Sequence, residues 1–434
     1  MNGGNGGTMA KQSHWLAAFV PLFFCLALPG TAEEEPRQSD PLRQEALAGE
    51  VDSQLKLASE FFFGTETRPR NPVLAVYWYR KAAEQGSGEG AYNLGVCYEK
   101  GWGVDRSSLI RAFEWFDQAA KAGIPEAKLR LGLLLAAGVP DEHLEKEVLK
   151  GISADRVAAF RMLRELAQTG YLPAAREFGK LVLADRADRE TSGKEARKLL
   201  QMAAETGDVE SLLLLAVCYR DAIGGSGDQA KAVECWERAA GLGSSEAKVY
   251  LAAACEYGQG IKCDPDRAFA LVKEAAAAAD PRALLRLGDY YLNGDHVESS
   301  LPEALALYRR SYESGYLPAA VRLGRCAELG LGMTADPVRA AELYGIAARA
   351  GDPDAQYAFG RCHLKGIGME PDPAGAVFWF KTATASGQLD AVRELGICLL
   401  TGNGVEKDTE EGSRLLEAAA ASGDAEALVF LNNN

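Results

Sequence analysis

Histidine is scarce in this chain: there are four in 434 residues, of which His143, His296 and His363 lie beyond residue 32. These three are far apart, and none has a second candidate ligand at metal-site spacing, so the sequence predicts neither a metal nor a bound cofactor. Basic charge is short as well. Lysine and arginine total 47 against 61 acidic residues, and a net charge of −14 works against binding nucleic acid or anionic lipid. Long apolar runs are missing too. The stretch Trp15–Leu28 is broken by Pro21 and falls short of the roughly 20 residues a membrane span requires. No catalytic constellation stands out. Acidic pairs such as Glu410-Glu411 lie at loop-to-helix boundaries, where solvated charge belongs. Gly258-Gln259-Gly260 and Gly330-Leu331-Gly332 look like pieces of phosphate loops but lack the strand and lysine such a loop needs. The expectation is a protein that is not an enzyme.

The short apolar run has the layout of an export signal. Lys11 and His14 precede it, and Gly30-Thr31-Ala32 places small residues where a signal peptidase reads, ahead of Glu33-Glu34-Glu35. The pattern predicts a cleaved signal over residues 1–32, a linker over 33–52, and a periplasmic or extracellular protein not inserted in a membrane after cleavage. An uncleaved anchor is the alternative. Cleavage removes Lys11 and no acid, leaving 46 basic against 61 acidic residues, or −15.

What is abundant is repetition. A glycine recurs at Gly207, Gly243, Gly315, Gly351, Gly387 and Gly423, in steps of 36 residues or one double step, with Ala279 filling the gap. A period of that size predicts an all-α solenoid of about ten stacked helix–turn–helix units. Within residues 352–387, Ala355, Phe359, Cys362 and His363 share one helical face; Ala376, Phe380 and Ala383 share another, with Phe378 and Trp379 widening it. Asp264-Pro265, Asp280-Pro281, Asp336-Pro337, Asp352-Pro353 and Asp372-Pro373 suit helix starts, and Gly366 and Gly387 suit helix ends.

One register position is held by small residues: Gly95, Gly132, Gly179, Ala216, Ala252, Gly288, Gly324, Gly360 and Gly396. Glycine inside a helix costs about 1 kcal/mol relative to alanine, so its recurrence predicts close helix approach. Tyr79, Phe116, Trp236, Tyr308, Tyr344 and Phe380, each seven residues before a closing glycine, are the rings expected to fill that space. Trp78, Trp115 and Trp379 are expected in the core. Cys97, Cys218, Cys326, Cys362 and Cys398 also share one register position. Equivalent atoms of stacked hairpins lie roughly 10 Å apart, beyond the Cα separation of about 7 Å that a disulfide allows, so these five read as core. Cys235, Cys255 and Cys263 lie outside that register and are the candidates for any bridge.

The order of Leu94-Gly95, Tyr98, Gly101-Trp102-Gly103-Val104-Asp105, Ala112, Trp115 and Ala119-Ala120 resembles the Sel-1-like repeat, a relative of the tetratricopeptide repeat. So does the run through Leu395-Gly396, Gly402-Asn403-Gly404-Val405 and Ala418-Ala419. The resemblance spans roughly residues 53–434. It implies a right-handed superhelix over 53–423, with irregular units at 124–207 and a cap at 424–434. The third unit is lengthened around Asp141–Lys146; the fourth replaces the glycine-rich turn with Asp185-Arg186-Ala187-Asp188-Arg189-Glu190.

The resemblance further implies a protein- or peptide-binding adaptor whose first helices line the concave face. Arg130, Arg286 and Arg322, each two residues before the small residue, are the candidates to read a ligand's carboxylates or backbone carbonyls. Pairing with acids such as Asp289 or Glu328 is their alternative role. Two other functional readings stand beside the adaptor: a cell-wall-ligand binder or β-lactam hydrolase, as in cysteine-rich secreted relatives, and a purely structural envelope spacer. Nothing in the sequence sets the oligomeric state.

Overall fold

The computed structural model describes residues 40–139, 142–143, 148–149 and 153–433, so the expected signal at 1–32 lies outside the described residues. A short helix, α1 (Pro41–Ala48), precedes ten hairpins. The first five are α2 (Val51–Phe63) with α3 (Pro72–Glu84), α4 (Gly88–Lys100) with α5 (Leu109–Lys121), α6 (Pro125–Ala137) with α7 (Arg156–Gln168), α8 (Leu172–Ala184) with α9 (Arg186–Glu205), and α10 (Val209–Arg220) with α11 (Gln229–Gly241). The next three are α12 (Ser245–Tyr257) with α13 (Pro265–Ala277), α14 (Pro281–Asn293) with α15 (Leu301–Glu313), and α16 (Pro318–Leu329) with α17 (Pro337–Arg349). The last two are α18 (Pro353–Lys365) with α19 (Pro373–Ala385) and α20 (Leu389–Thr401) with α21 (Thr409–Ala421), before a final α22 (Ala425–Asn433). Each helix packs on its sequence neighbours, and the molecule is a helical solenoid.

Local chemistry sets the boundaries. Asp264, Asp336, Asp352 and Asp372 each accept the N–H of the third residue along, at 2.8–3.0 Å, with proline at the first helical position. Gly366 ends α18 at φ +69°, and two residues on Gly368 turns at φ +70°. A Cβ on Gly368 would lie 2.0 Å from the Pro337 carbonyl oxygen. The second glycine of the turn therefore lets it dock on the second helix of the preceding hairpin.

Opposite four of the small residues inside the first helices stands the expected ring. A Cβ would stand 2.5 Å from the Tyr308 ring at Gly288, 2.7 Å from Tyr344 at Gly324, 2.6 Å from Phe380 at Gly360 and 2.7 Å from Phe116 at Gly95. Leu163, Leu200 and Leu416 fill the same place opposite Gly132, Gly179 and Gly396. The five in-register cysteines are buried, as are Cys235 and Cys255, whereas Cys263 is exposed; all eight are free thiols. Trp78 is buried, and Trp115 and Trp379 are half-buried.

Four details depart from the sequence reading. Within the segment 33–52 read as linker, α1 is helical: Asp40 caps it, and Ala46 is sealed against α2 while its carbonyl accepts from Gln54 at 3.0 Å. The Asp185–Glu190 stretch, read as a replacement turn, is the start of α9. Asp185 caps that helix, lengthening it to 20 residues where its counterparts have 13. Phe378 is 61% exposed: two residues from Phe380 is about 200° around a helix, the opposite face. Between α6 and α7 the lengthened loop carries a two-residue antiparallel pair, β1 (Glu142–His143) with β2 (Val148–Leu149), a local departure from all-helical structure.

Candidate functional site

Where helices two apart in sequence touch, the contacts join first helices, α6 with α8, α8 with α10 and α16 with α18; α7 with α9, in the irregular units, also meet. Arg130, Arg286 and Arg322 lie on the first helices α6, α14 and α16. Each is paired with an acid one hairpin earlier: Arg130 with Glu99 at 3.3 Å, Arg286 with Glu256, and Arg322 with Asp289 at 2.9 Å from Nε and 3.4 Å from Nη2. The same link recurs at Arg282–Glu246 (3.0 Å) and Arg361–Glu328 (3.2 Å). A ladder of ion pairs thus stitches successive first helices together. A half-exposed pair of this kind contributes about 0–1 kcal/mol.

Rings from the core reach this ladder. The Tyr308 hydroxyl donates to Asp289 at 2.7 Å and the Tyr344 hydroxyl to Glu328 at 2.9 Å. Burial, then the adjacent carboxylate, pushes both phenols well above their ordinary range, so both remain donors. Asp289 and Glu328 therefore each hold a tyrosine from beneath and an arginine from the next repeat.

Only part of the arginine set is brought together. Arg286 lies in a groove over α14, while Arg322 flanks it through Asp289. Arg130 stands apart, near Tyr92 and Glu126. The groove floor is one face of α14, formed by Arg282, Leu285, Arg286, Asp289 and Asn293. Glu256 and Tyr257 of α12 form one wall, Tyr316 ahead of α16 the other, and Tyr290 and Asp295 lie toward the end. Sequence register found Arg286 but missed Arg282, Tyr257 and Tyr290, because these side chains belong to single repeats and leave no periodic signal.

The described residues hold no group of three or more His, Cys, Asp or Glu side chains able to bind a metal, and no helix long and apolar enough to cross a membrane. His296 lies with Nδ1 3.0 Å from Asp266, and His363 packs edge-on to Phe359. None of the eight cysteines among the described residues is bridged to another.

A family model described as Sel1 repeat matches residues 51–87, 88–124, 188–208, 209–244, 245–280, 281–316, 317–352, 353–388 and 389–424. The unmatched stretch falls on the two irregular hairpins. Among curated proteins, the chain is 28% identical over 226 residues to the DAP3-binding cell death enhancer 1 of Mus musculus, covering 51% of this chain and 41% of that protein. It is 31% identical over 112 residues to the ERAD-associated E3 ubiquitin-protein ligase component HRD3B of Arabidopsis thaliana, covering 26% of this chain and 17% of that one. The chain thus spans well under two thirds of these relatives. Among solved structures, c5321 is described as a protective antigen of uropathogenic Escherichia coli with an SLR fold. It superposes with a TM-score of 0.53 at 24% identity over 90% of this chain and 89% of its own, a likeness of fold.

Proposed function

The chain belongs to the Sel1 repeat family, and from that premise we propose that it is an exported adaptor whose concave face holds a protein or peptide. Sel1 repeat proteins are in general protein-interaction adaptors. The names of two relatives agree with such a role, one for binding DAP3 and one as a component of a ubiquitin-ligase assembly. The observation that carries the reading is the groove over α14, where aromatic and charged side chains converge on the first helices of a stack whose other polar groups are largely paired between repeats. Export rests on the layout of residues 1–32 and predicts a mature chain beginning at Glu33 in the envelope or medium. A chain retaining residues 1–32 in the cytoplasm overturns that part.

The adaptor role is tested by an exchange that keeps the fold. Arg286→Glu with Glu256→Arg preserves the ion pair between α12 and α14 and reverses the order of charge across the groove. The expected outcome is an unchanged unfolding midpoint and loss of the proteins captured by the unmodified chain from a native envelope extract. Unchanged capture by the exchanged protein overturns the concave-face reading.

A further inference from the structure

The groove lining carries three carboxylates, Glu256, Asp289 and Asp295, against two guanidiniums, Arg282 and Arg286. Both guanidiniums are committed. Arg282 donates to Glu246 at 3.0 Å and to the Tyr250 hydroxyl at 3.2 Å, and Arg286 is paired with Glu256. Asp289 is taken by Arg322 and Tyr308. Asp295 has only a neutral donor, the Asn293 amide at 3.2 Å. The groove is therefore electronegative, in a chain of net charge −14.

Two tyrosines define what enters. Tyr257 is 67% exposed on the wall, its ring free to meet a cation. Tyr290 is only 6% exposed; its ring packs against Phe269 and His296, and its hydroxyl, buried at the groove beside the Arg286 guanidinium, has no acceptor for its own proton. Buried hydroxyls are normally satisfied, and the neighbouring Arg286 has only donors to offer, so the missing group is an acceptor. A ligand carboxylate would meet three carboxylates. A main-chain carbonyl carries no net charge and is not repelled by them.

Building on the adaptor reading, we propose that this groove binds an extended peptide bearing lysine or arginine side chains. A main-chain carbonyl accepts from the Tyr290 hydroxyl, and a cationic side chain lies between the Tyr257 ring and the Asp295 carboxylate.

The test is fluorescence anisotropy with the full chain and two labelled nonapeptides, one alternating lysine and serine, the other glutamate and serine. The lysine peptide is expected to bind saturably and the glutamate peptide not at all. Asp295→Lys weakens the lysine peptide at least tenfold, and Tyr290→Phe, which removes only the hydroxyl, weakens it several-fold. Glu410→Lys, the same charge change on exposed α21, leaves binding unchanged. Equal loss with Glu410→Lys means long-range attraction and overturns the site, as does insensitivity to Asp295→Lys. Equal binding of the glutamate peptide, or no saturable binding of either, overturns the assignment. If neither peptide binds while the Arg286/Glu256 exchange still abolishes partner capture, the adaptor reading stands and the basic-peptide assignment alone falls.

Discussion

Ala279 closes α13 at φ +61°, in the place its counterparts give to glycine. A left-handed conformation costs a residue with a Cβ about 1–2 kcal/mol, of which glycine's greater chain entropy returns about 0.5–1. Ala279→Gly is therefore expected to stabilise the chain by about 1 kcal/mol, read as a higher urea midpoint; an unchanged or lower midpoint refutes the strain argument. The cysteines make a second residue-scale prediction. Burial pushes the Cys97, Cys218 and Cys362 thiols up to about 12, and Cys235 and Cys398 to about 11. Since the thiolate is the reactive form, these groups stay protonated and inert at neutral pH. Among the eight cysteines of the described residues, only Cys263 is exposed. Ellman's reagent at pH 7.5 is expected to find one fast thiol among these eight, the others reacting only on unfolding. Two or more fast thiols contradict the packing.

Between elements, the glycine of a first helix and the ring of a second helix form one packing unit. Gly288→Ala places a methyl 2.5 Å from Tyr308, and overpacking of this kind costs about 1–3 kcal/mol. Combined with Tyr308→Leu, the substitution supplied by Leu163, Leu200 and Leu416 in other hairpins, the double mutant is expected to lose less stability than the two single mutants summed. Strict additivity in the denaturation midpoints contradicts the unit. This pairing was legible in the sequence because it recurs, as were the helix starts and the turn glycines. The lengthened α9 was not, because Asp185 both interrupts the turn and caps a helix, and only the packed chain decides between the two. The site was half legible for a related reason. Arg286 sits in register, but its acidic partner is one repeat away, and Glu99, Glu256 and Asp289 lie four, four and one residues after their small residues. Those offsets differ by three, so they fall on one helical face while breaking any fixed spacing. Tyr257, Tyr290 and Asp295 belong to the groove alone and repeat nowhere.

In a solenoid each hairpin is held only by its neighbours, so damage at one end should fade along the stack. The C-terminal end makes this testable. Ala427 of α22 covers Leu416 and Ala419, all three fully buried, and Asp424 both caps α22 and accepts from the buried Arg393 at 2.6 Å. Deleting residues 424–434 uncovers the apolar face of α21 and leaves the Arg393 guanidinium without that carboxylate. Hydrogen exchange is expected to accelerate in α20 and α21 and to stay unchanged in α2 to α5. Uniform acceleration would mean that the stack melts as one body. Acid offers a milder version of the same lesion. Burial alone would raise the Asp424 carboxyl, but the α22 backbone N–H groups and Arg393 outweigh it and hold the carboxyl below its ordinary value. A carboxyl lowered on folding contributes stability in full above the ordinary aspartate range, about pH 4, and loses it as the pH falls through the folded value. Protection of α20 and α21 should therefore drop below about pH 4. In Asp424→Asn, which cannot titrate, it should already be reduced at neutral pH, with no further loss from this site in acid. A variant that keeps the full acid-dependent drop would show that some other carboxyl secures the end of the stack.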